Sequence, residues 1–134
     1  MFFLPSNQVM NTTNYIKVLR EKMLVSFDIH RSTHFLHDSA PCHSSLRTQN
    51  FLATNHVPVI EWPGNSPDLN PIENCWLVMK EVIAKERPAN LEDLKKCIRW
   101  QWCHLSKDYL KTLAESMPSR IRKVRAAKGW QTKY

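Results

Sequence analysis

The run Ser66-Pro67-Asp68-Leu69-Asn70-Pro71-Ile72-Glu73-Asn74-Cys75-Trp76 leaves its own backbone little choice. Asn70 suits a helix N-cap, because its side-chain oxygen can accept from an orphan N–H of the first turn. Pro71 suits the first helical position, where its missing N–H is not needed and its φ is already helical. Glu73 falls at N3, where a carboxylate can complete a capping box. Ile72, Trp76, Met79 and Ile83 then recur at helical spacing and predict one inward face, and Pro88 breaks the run.

The other elements are read the same way. Residues 1–10 carry little signal. Tyr15, Val18, Leu19 and Met23 predict a helix over about 11–25. Thr33-His34-Phe35-Leu36 is a short β-favouring run that ends at Asp38. Pro41 is expected to stop regular structure, and Ser44 or Ser45 to open a helix reaching about Asn55. Val57–Trp62 reads as a second strand, with Pro58 at a sheet edge or as its opening residue, and residues 63–67 as a loop. Asn90 caps a helix with the stripe Leu91, Leu94, Ile98, Trp102 and Leu105. Ser106 caps the next, with Tyr109, Leu110 and Leu113 inward, and Met117-Pro118 ends it. Ser119 opens a short basic helix closed by Gly129. Helix, strand, helix, strand and four helices make an α/β order. Two parallel strands are few for a sheet, so the pattern reads as though further strands precede it.

Charge is unevenly placed. Residues 1–86 carry 7 Lys and Arg against 8 Asp and Glu, while residues 87–134 carry 12 against 4. The basic helical part, 87–134, points to a polyanion such as nucleic acid, or to a solvated basic surface. Two glycines in 134 residues argue against a Gly-rich phosphate loop. Cys42, Cys75, Cys97 and Cys103 lack zinc-ligand spacing and read as free thiols of a nuclear or cytoplasmic protein. No signal peptide is recognisable, no stretch approaches a membrane span, and secretion is not expected.

Two acids stand out. Asp38 follows the first predicted strand, and Glu73 lies on the capped helix, with 34 residues between them. Phosphodiester chemistry with two divalent ions needs clustered oxygen ligands of this kind. Each acid also has a local reading: Asp38 as a turn former bonding its own backbone, Glu73 as the N3 partner of Asn70. Asp68 reads as a turn former rather than a ligand, and His37 and His43 as surface or packing histidines, or as residues that could touch metal or phosphate. On the helix from Ser119, Ile121, Val124 and Ala127 share one side. Arg122, Lys123 and Arg125 lie opposite, where they could hold a phosphate backbone or simply be solvated.

Taken together, His37-Asp38-Ser39-Ala40-Pro41-Cys42-His43, Trp62-Pro63 and the Ser66–Trp76 run resemble the Tc/mariner superfamily of DNA transposases, in its Tc branch. Met10-Asn11 with Tyr15-Ile16, Ser116–Arg120, Ala127-Lys128-Gly129 and Thr132-Lys133-Tyr134 match the same family. The resemblance extends from about residue 10 to the end. It implies an incomplete RNase H-like fold, with two strands retained and C-terminal helices, forming part of a DDE catalytic domain over 1–134. It implies Asp38 and Glu73 as the second and third acids of a triad that binds Mg²⁺ or Mn²⁺ and drives DNA cleavage and end joining. The family's first aspartate lies upstream of anything matched here, and Asp28 is in the wrong place to replace it. Ser39 stands where many relatives have Asn. The expectation is therefore weak metal binding and a chain inactive by itself, with DNA, and a full-length transposase copy, as partners and no small-molecule substrate. The alternative is a non-enzymatic module binding DNA or a transposase through the basic helices around Arg122, Lys123 and Arg125. A third reading places the missing acid in coding sequence upstream of Met1.

Overall fold

The computed structural model describes residues 2–62, 66–130 and 132. The chain divides into two units, Met1–Asn65 and Ser66–Tyr134.

The first unit begins with a continuous helical run over 12–29. It comprises α1 (Thr12–Val18), a π-helical segment Leu19–Met23 and α2 (Leu24–Ile29). Asn11 caps it, its Oδ1 accepting from the N–H of Asn14 at 2.9 Å. The run therefore outlasts the expected end near residue 25. Its inward face supplies Tyr15 and Leu19, which pack with Leu52 and Val57 as the core of the unit. Met23, Leu24, Phe27, Phe35 and Phe51 close around that core.

Pro41 opens structure rather than stopping it. It sits in the first turn of a four-residue helix, α3 (Pro41–Ser44), where a proline is well tolerated. Ser45 then caps α4 (Leu46–Thr54), accepting from the N–H of Thr48 at 3.3 Å. The two predicted strands reduce, among the described residues, to one isolated parallel bridge between Phe35 and Val59. Phe35 donates to the Pro58 carbonyl at 2.8 Å and accepts from the N–H of Ile60 at 2.9 Å. Pro58 has no N–H to extend the ladder, and a lone pair of short segments gains too little to form a regular sheet.

In the second unit a 3₁₀ turn, Pro67–Leu69, leads into α5 (Pro71–Glu86), with Asn70 as the N-cap. Arg87 ends α5 in the left-handed conformation at φ 46°, and Pro88 follows. α6 (Leu91–Cys103), α7 (Lys107–Glu115) and α8 (Met117–Ala126) complete the unit. Asn90 and Ser106 cap α6 and α7 as expected, each accepting from the N–H three residues on. α8 starts two residues before Ser119, because Pro118 fits a first turn as well as it fits a stop. Gly129, at φ 85°, donates to the Val124 carbonyl and closes that end. Of the predicted loop at 63–67, residues 63–65 lie outside the described residues, as do the tail residues Lys133 and Tyr134, and Pro67 already belongs to the 3₁₀ turn.

Burial departs from the predicted stripes. On α5 the buried side chains are Cys75 and Met79, while Ile72 and Trp76 are exposed. α6 has no fully buried residue. Leu110 on α7 faces outward, and Leu113 is buried. Helical period finds which residues share a face, but coverage depends on the neighbours that face meets. The stripe of α6 meets α5, where Trp76 and Trp102 approach with ring centroids 5.9 Å apart.

Candidate active site

Asp38 lies just after the Phe35 bridge, at the start of the turn into α3. Its Oδ1 accepts from the N–H of Ala40 at 3.0 Å and pairs with Nδ1 of His43 at 2.5 Å. The turn-forming role is thus real, but Oδ2 takes no part in either bond. The Ala40 N–H, ahead of the His43 contact, holds the carboxyl below the usual aspartate range. The side chain is two-thirds exposed, on the rim of an open pocket of about 390 Å³ shared with His37, Ser39, Leu52, Val57 and Ile60.

The two histidines pack behind this carboxylate. The His43 ring lies on Tyr15 at a centroid distance of 3.9 Å, and Nδ1 of His37 meets the Tyr15 hydroxyl at 3.0 Å. Desolvation, followed by His43, pushes the His37 pKa down, against the pull of Asp38. Burial, with Cys42 and Asp38 adding to it, drives the Tyr15 phenol well above its ordinary value. Both imidazoles are therefore committed to packing that steadies the turn carrying Asp38.

Glu73 occupies the first turn of α5 and is exposed. The capping box expected around it forms only in part. Asn70 Oδ1 accepts from the N–H of Ile72 at 3.3 Å, while the N–H of Asn70 goes to the Pro67 carbonyl at 3.0 Å. The Glu73 carboxylate is consequently not used by the cap. It opens on a groove lined by Pro67, Asp68, Asn74, Leu77, Lys80 and Thr132.

Asp68, expected to serve its own turn, accepts through Oδ2 from the hydroxyl and N–H of Thr132, at 2.7 and 3.0 Å, and its carboxyl is held down by these and in part by the N–H groups of Asp68 and Leu69. Arg120 carries no signal of its own in the sequence beyond its place in a tail motif, yet it is buried. Its guanidinium donates to Ser116 Oγ, to the Asp68 carbonyl and to Asn74 Oδ1 at 2.8, 2.9 and 2.8 Å. The apolar spacing of Ile121, Val124 and Ala127 concealed it, since period alone assigns a cation to the solvent side. Arg122, Lys123 and Arg125 are exposed on α8, as expected.

Asp38 thus belongs to the first unit and Glu73 to the second. Neither unit, among the described residues, gathers three His, Cys, Asp or Glu side chains into a group able to hold a metal. The donors that Asp38 Oδ2 and Glu73 offer are hard carboxylate oxygens, the type that suits Mg²⁺ or Mn²⁺.

A model of the family described as DDE superfamily endonuclease matches residues 2–95. The chain belongs to this family. Its relatives in this DDE family are Tc/mariner transposases. The Transposable element Tcb1 transposase of Caenorhabditis briggsae is 36% identical over 104 residues, covering 78% of this chain and 38% of that protein. The Transposable element Tc1 transposase of Caenorhabditis elegans is 33% identical over 100 residues, covering 75% and 37%. The DDE chain therefore spans less than two fifths of these relatives' length. Its fold is that of the catalytic domain of Mos1 mariner transposase, an RNase H-like DDE fold. The two superpose with a TM-score of 0.80 at 22% identity, over 97% of this chain and 68% of that one. The Mos1 catalytic domain has also been solved with Raltegravir and Mn, and a longer Mos1 chain in a strand transfer complex superposes with a TM-score of 0.84 at 24% identity, over 97% of this chain and 39% of that one.

Proposed function

We propose that this DDE chain supplies the second and third acids, Asp38 and Glu73, of a divalent-metal site for DNA strand cleavage and transfer in transposition. The observation that carries the reading is that both motif acids keep carboxylate oxygens clear of the local bonds that would otherwise explain them. Asp38 forms its turn through Oδ1 alone, and Glu73 is left out of its cap. A bound Mg²⁺ or Mn²⁺ pair would activate the attacking oxygen and stabilise the leaving one. The chain's own part is to fix two of the ligands. Asp38 is oriented by the Ala40 N–H and by His43, and Glu73 by its place on the first turn of α5. The RNase H-like reading with two retained strands around Asp38 is supported by the Phe35–Val59 bridge.

Two carboxylates offer a charge of −2 to two ions of total charge +4, and small errors of placement cost large factors in rate. The 134 residues by themselves are therefore proposed to bind metal weakly and to leave DNA uncut. The test combines Mn²⁺ titration by water-proton relaxation with a supercoiled-plasmid assay. Weak Mn²⁺ binding that falls in both Asp38→Asn and Glu73→Gln, with no nicking, is expected. Binding indifferent to both variants would sink the ligand assignment. Nicking abolished by Asp38→Ala and by Glu73→Ala would sink the inactivity.

A second reading is favoured by the exposed Arg122, Lys123 and Arg125 on α8. It makes the basic helices a duplex-DNA contact that operates without chemistry, or that holds the substrate of a complete transposase.

A further inference from the structure

We infer that Arg120 is a positioning residue for Glu73, an inference that rests on Glu73 being a metal-binding acid. Arg120 is only 3% exposed. Two of its acceptors bracket Glu73 along the chain. One is the carbonyl of Asp68, in the 3₁₀ turn before the N-cap, and the other is the side chain of Asn74, the next residue after Glu73. The guanidinium is a rigid planar fork, so its Nη1 and Nη2 bonds fix the direction of chain entry and the first helical turn together. That turn needs the help. A helix's first turn lacks intrahelical partners for its N–H groups, and the Asn70 cap here is long at 3.3 Å.

The choice of acceptors matters as much as their position. The acceptors at Ser116, Asp68 and Asn74 are neutral oxygens, so these bonds hold the backbone on both sides of Glu73 without engaging its carboxylate. The negative charge is left for cations. Ser116 Oγ, which accepts from Nε, also donates to the Leu113 carbonyl at 2.6 Å and so ties the fork to α7. A ligand carboxylate has to be held to a fraction of an ångström, and Arg120 is built to do this from behind.

The test uses the 134-residue chain with Arg120→Met, Arg120→Lys, Asn74→Ala and Glu73→Gln, each at a temperature where circular dichroism shows it folded. Amide hydrogen exchange is read at residues 72–75 against residues 97–100 of α6 and 109–113 of α7. Loss of two buried bonds should speed exchange at 72–75 by about tenfold in Arg120→Met, with the α6 and α7 amides little changed. Arg120→Lys should recover part of that protection, and Mn²⁺ affinity should fall in Arg120→Met by a similar factor. Unchanged exchange at 72–75, or an equal rise across the unit, overturns the inference. If Arg120→Met does not fold, Asn74→Ala decides by the same two criteria. Glu73→Gln separates the two readings: it should abolish Mn²⁺ broadening at 72–75 and leave exchange there unchanged. Persistent broadening would remove the acid assignment whatever Arg120 does.

Discussion

Asp68 joins two segments through different atoms: its carbonyl takes Arg120 and its carboxylate takes Thr132. The Thr132 hydroxyl holds the Asp68 carboxyl below the ordinary aspartate range. A depressed folded value means that the stabilisation is complete above the unfolded pKa, about 3.9, and is lost as pH falls through the folded value. Melting temperature should therefore drop on acidification below about pH 4 more steeply in the native chain than in Asp68→Asn. In Thr132→Ala the carboxyl-carbon titration of Asp68 should move up toward the ordinary midpoint, with the backbone N–H groups still holding it below. A second residue-scale case is Thr48, which is fully buried and donates from its hydroxyl to the Cys42 carbonyl at 2.7 Å. Thr48→Val would remove the shorter of two bonds to that carbonyl, leaving only the Ser45 hydroxyl at 3.4 Å, and urea unfolding should show a loss of about 1 kcal/mol.

At the scale of elements, what was legible in the sequence is what a few neighbouring residues decide by themselves. Asn70, Ser45, Asn90 and Ser106 all cap where a short polar side chain precedes an apolar run, because capping involves only the next three residues. Replacing Asn90 by alanine should accordingly cost about 1 kcal/mol, read as a fall in the urea midpoint. Longer-range features were not legible. Among the described residues the two β-favouring runs form one bridge, because two short segments, one carrying Pro58, gain too little to extend a ladder. Trp76 and Leu110 fall on apolar stripes yet are exposed, since period says nothing about which stripe a neighbour covers. Asp38 and Glu73 stand in motifs that single them out in the sequence. The role of Arg120 was not legible, because its bonds to Asp68 and Asn74 span 52 and 46 residues and form only where α8 packs against the Pro67–Leu69 turn.

For the whole molecule the governing quantity is charge, with an excess of 8 Lys and Arg over Asp and Glu in residues 87–134. Among the described residues no helix is long and apolar enough to cross a membrane. If α8 contacts duplex DNA, each neutralised phosphate contributes about 0.9 to the slope of log affinity against log salt. Replacing Arg122, Lys123 and Arg125 with glutamine should therefore flatten that slope by about 2–3, as measured by fluorescence anisotropy between 50 and 200 mM salt. An unchanged slope would move the contact elsewhere. The π-helical segment at Leu19–Met23 bears on the molecule in another way. There the N–H of Leu24 reaches back five residues to the Leu19 carbonyl, one more than an α-helix uses. The extra residue turns everything after it by about 100° relative to an unbroken α-helix. It brings Met23, Leu24 and Phe27 onto the core that Tyr15 and Leu19 begin. This rod thus carries a built-in vernier: within 19–23 the chain can lose one residue and stay helical, but the far half would then show a different face to the same core.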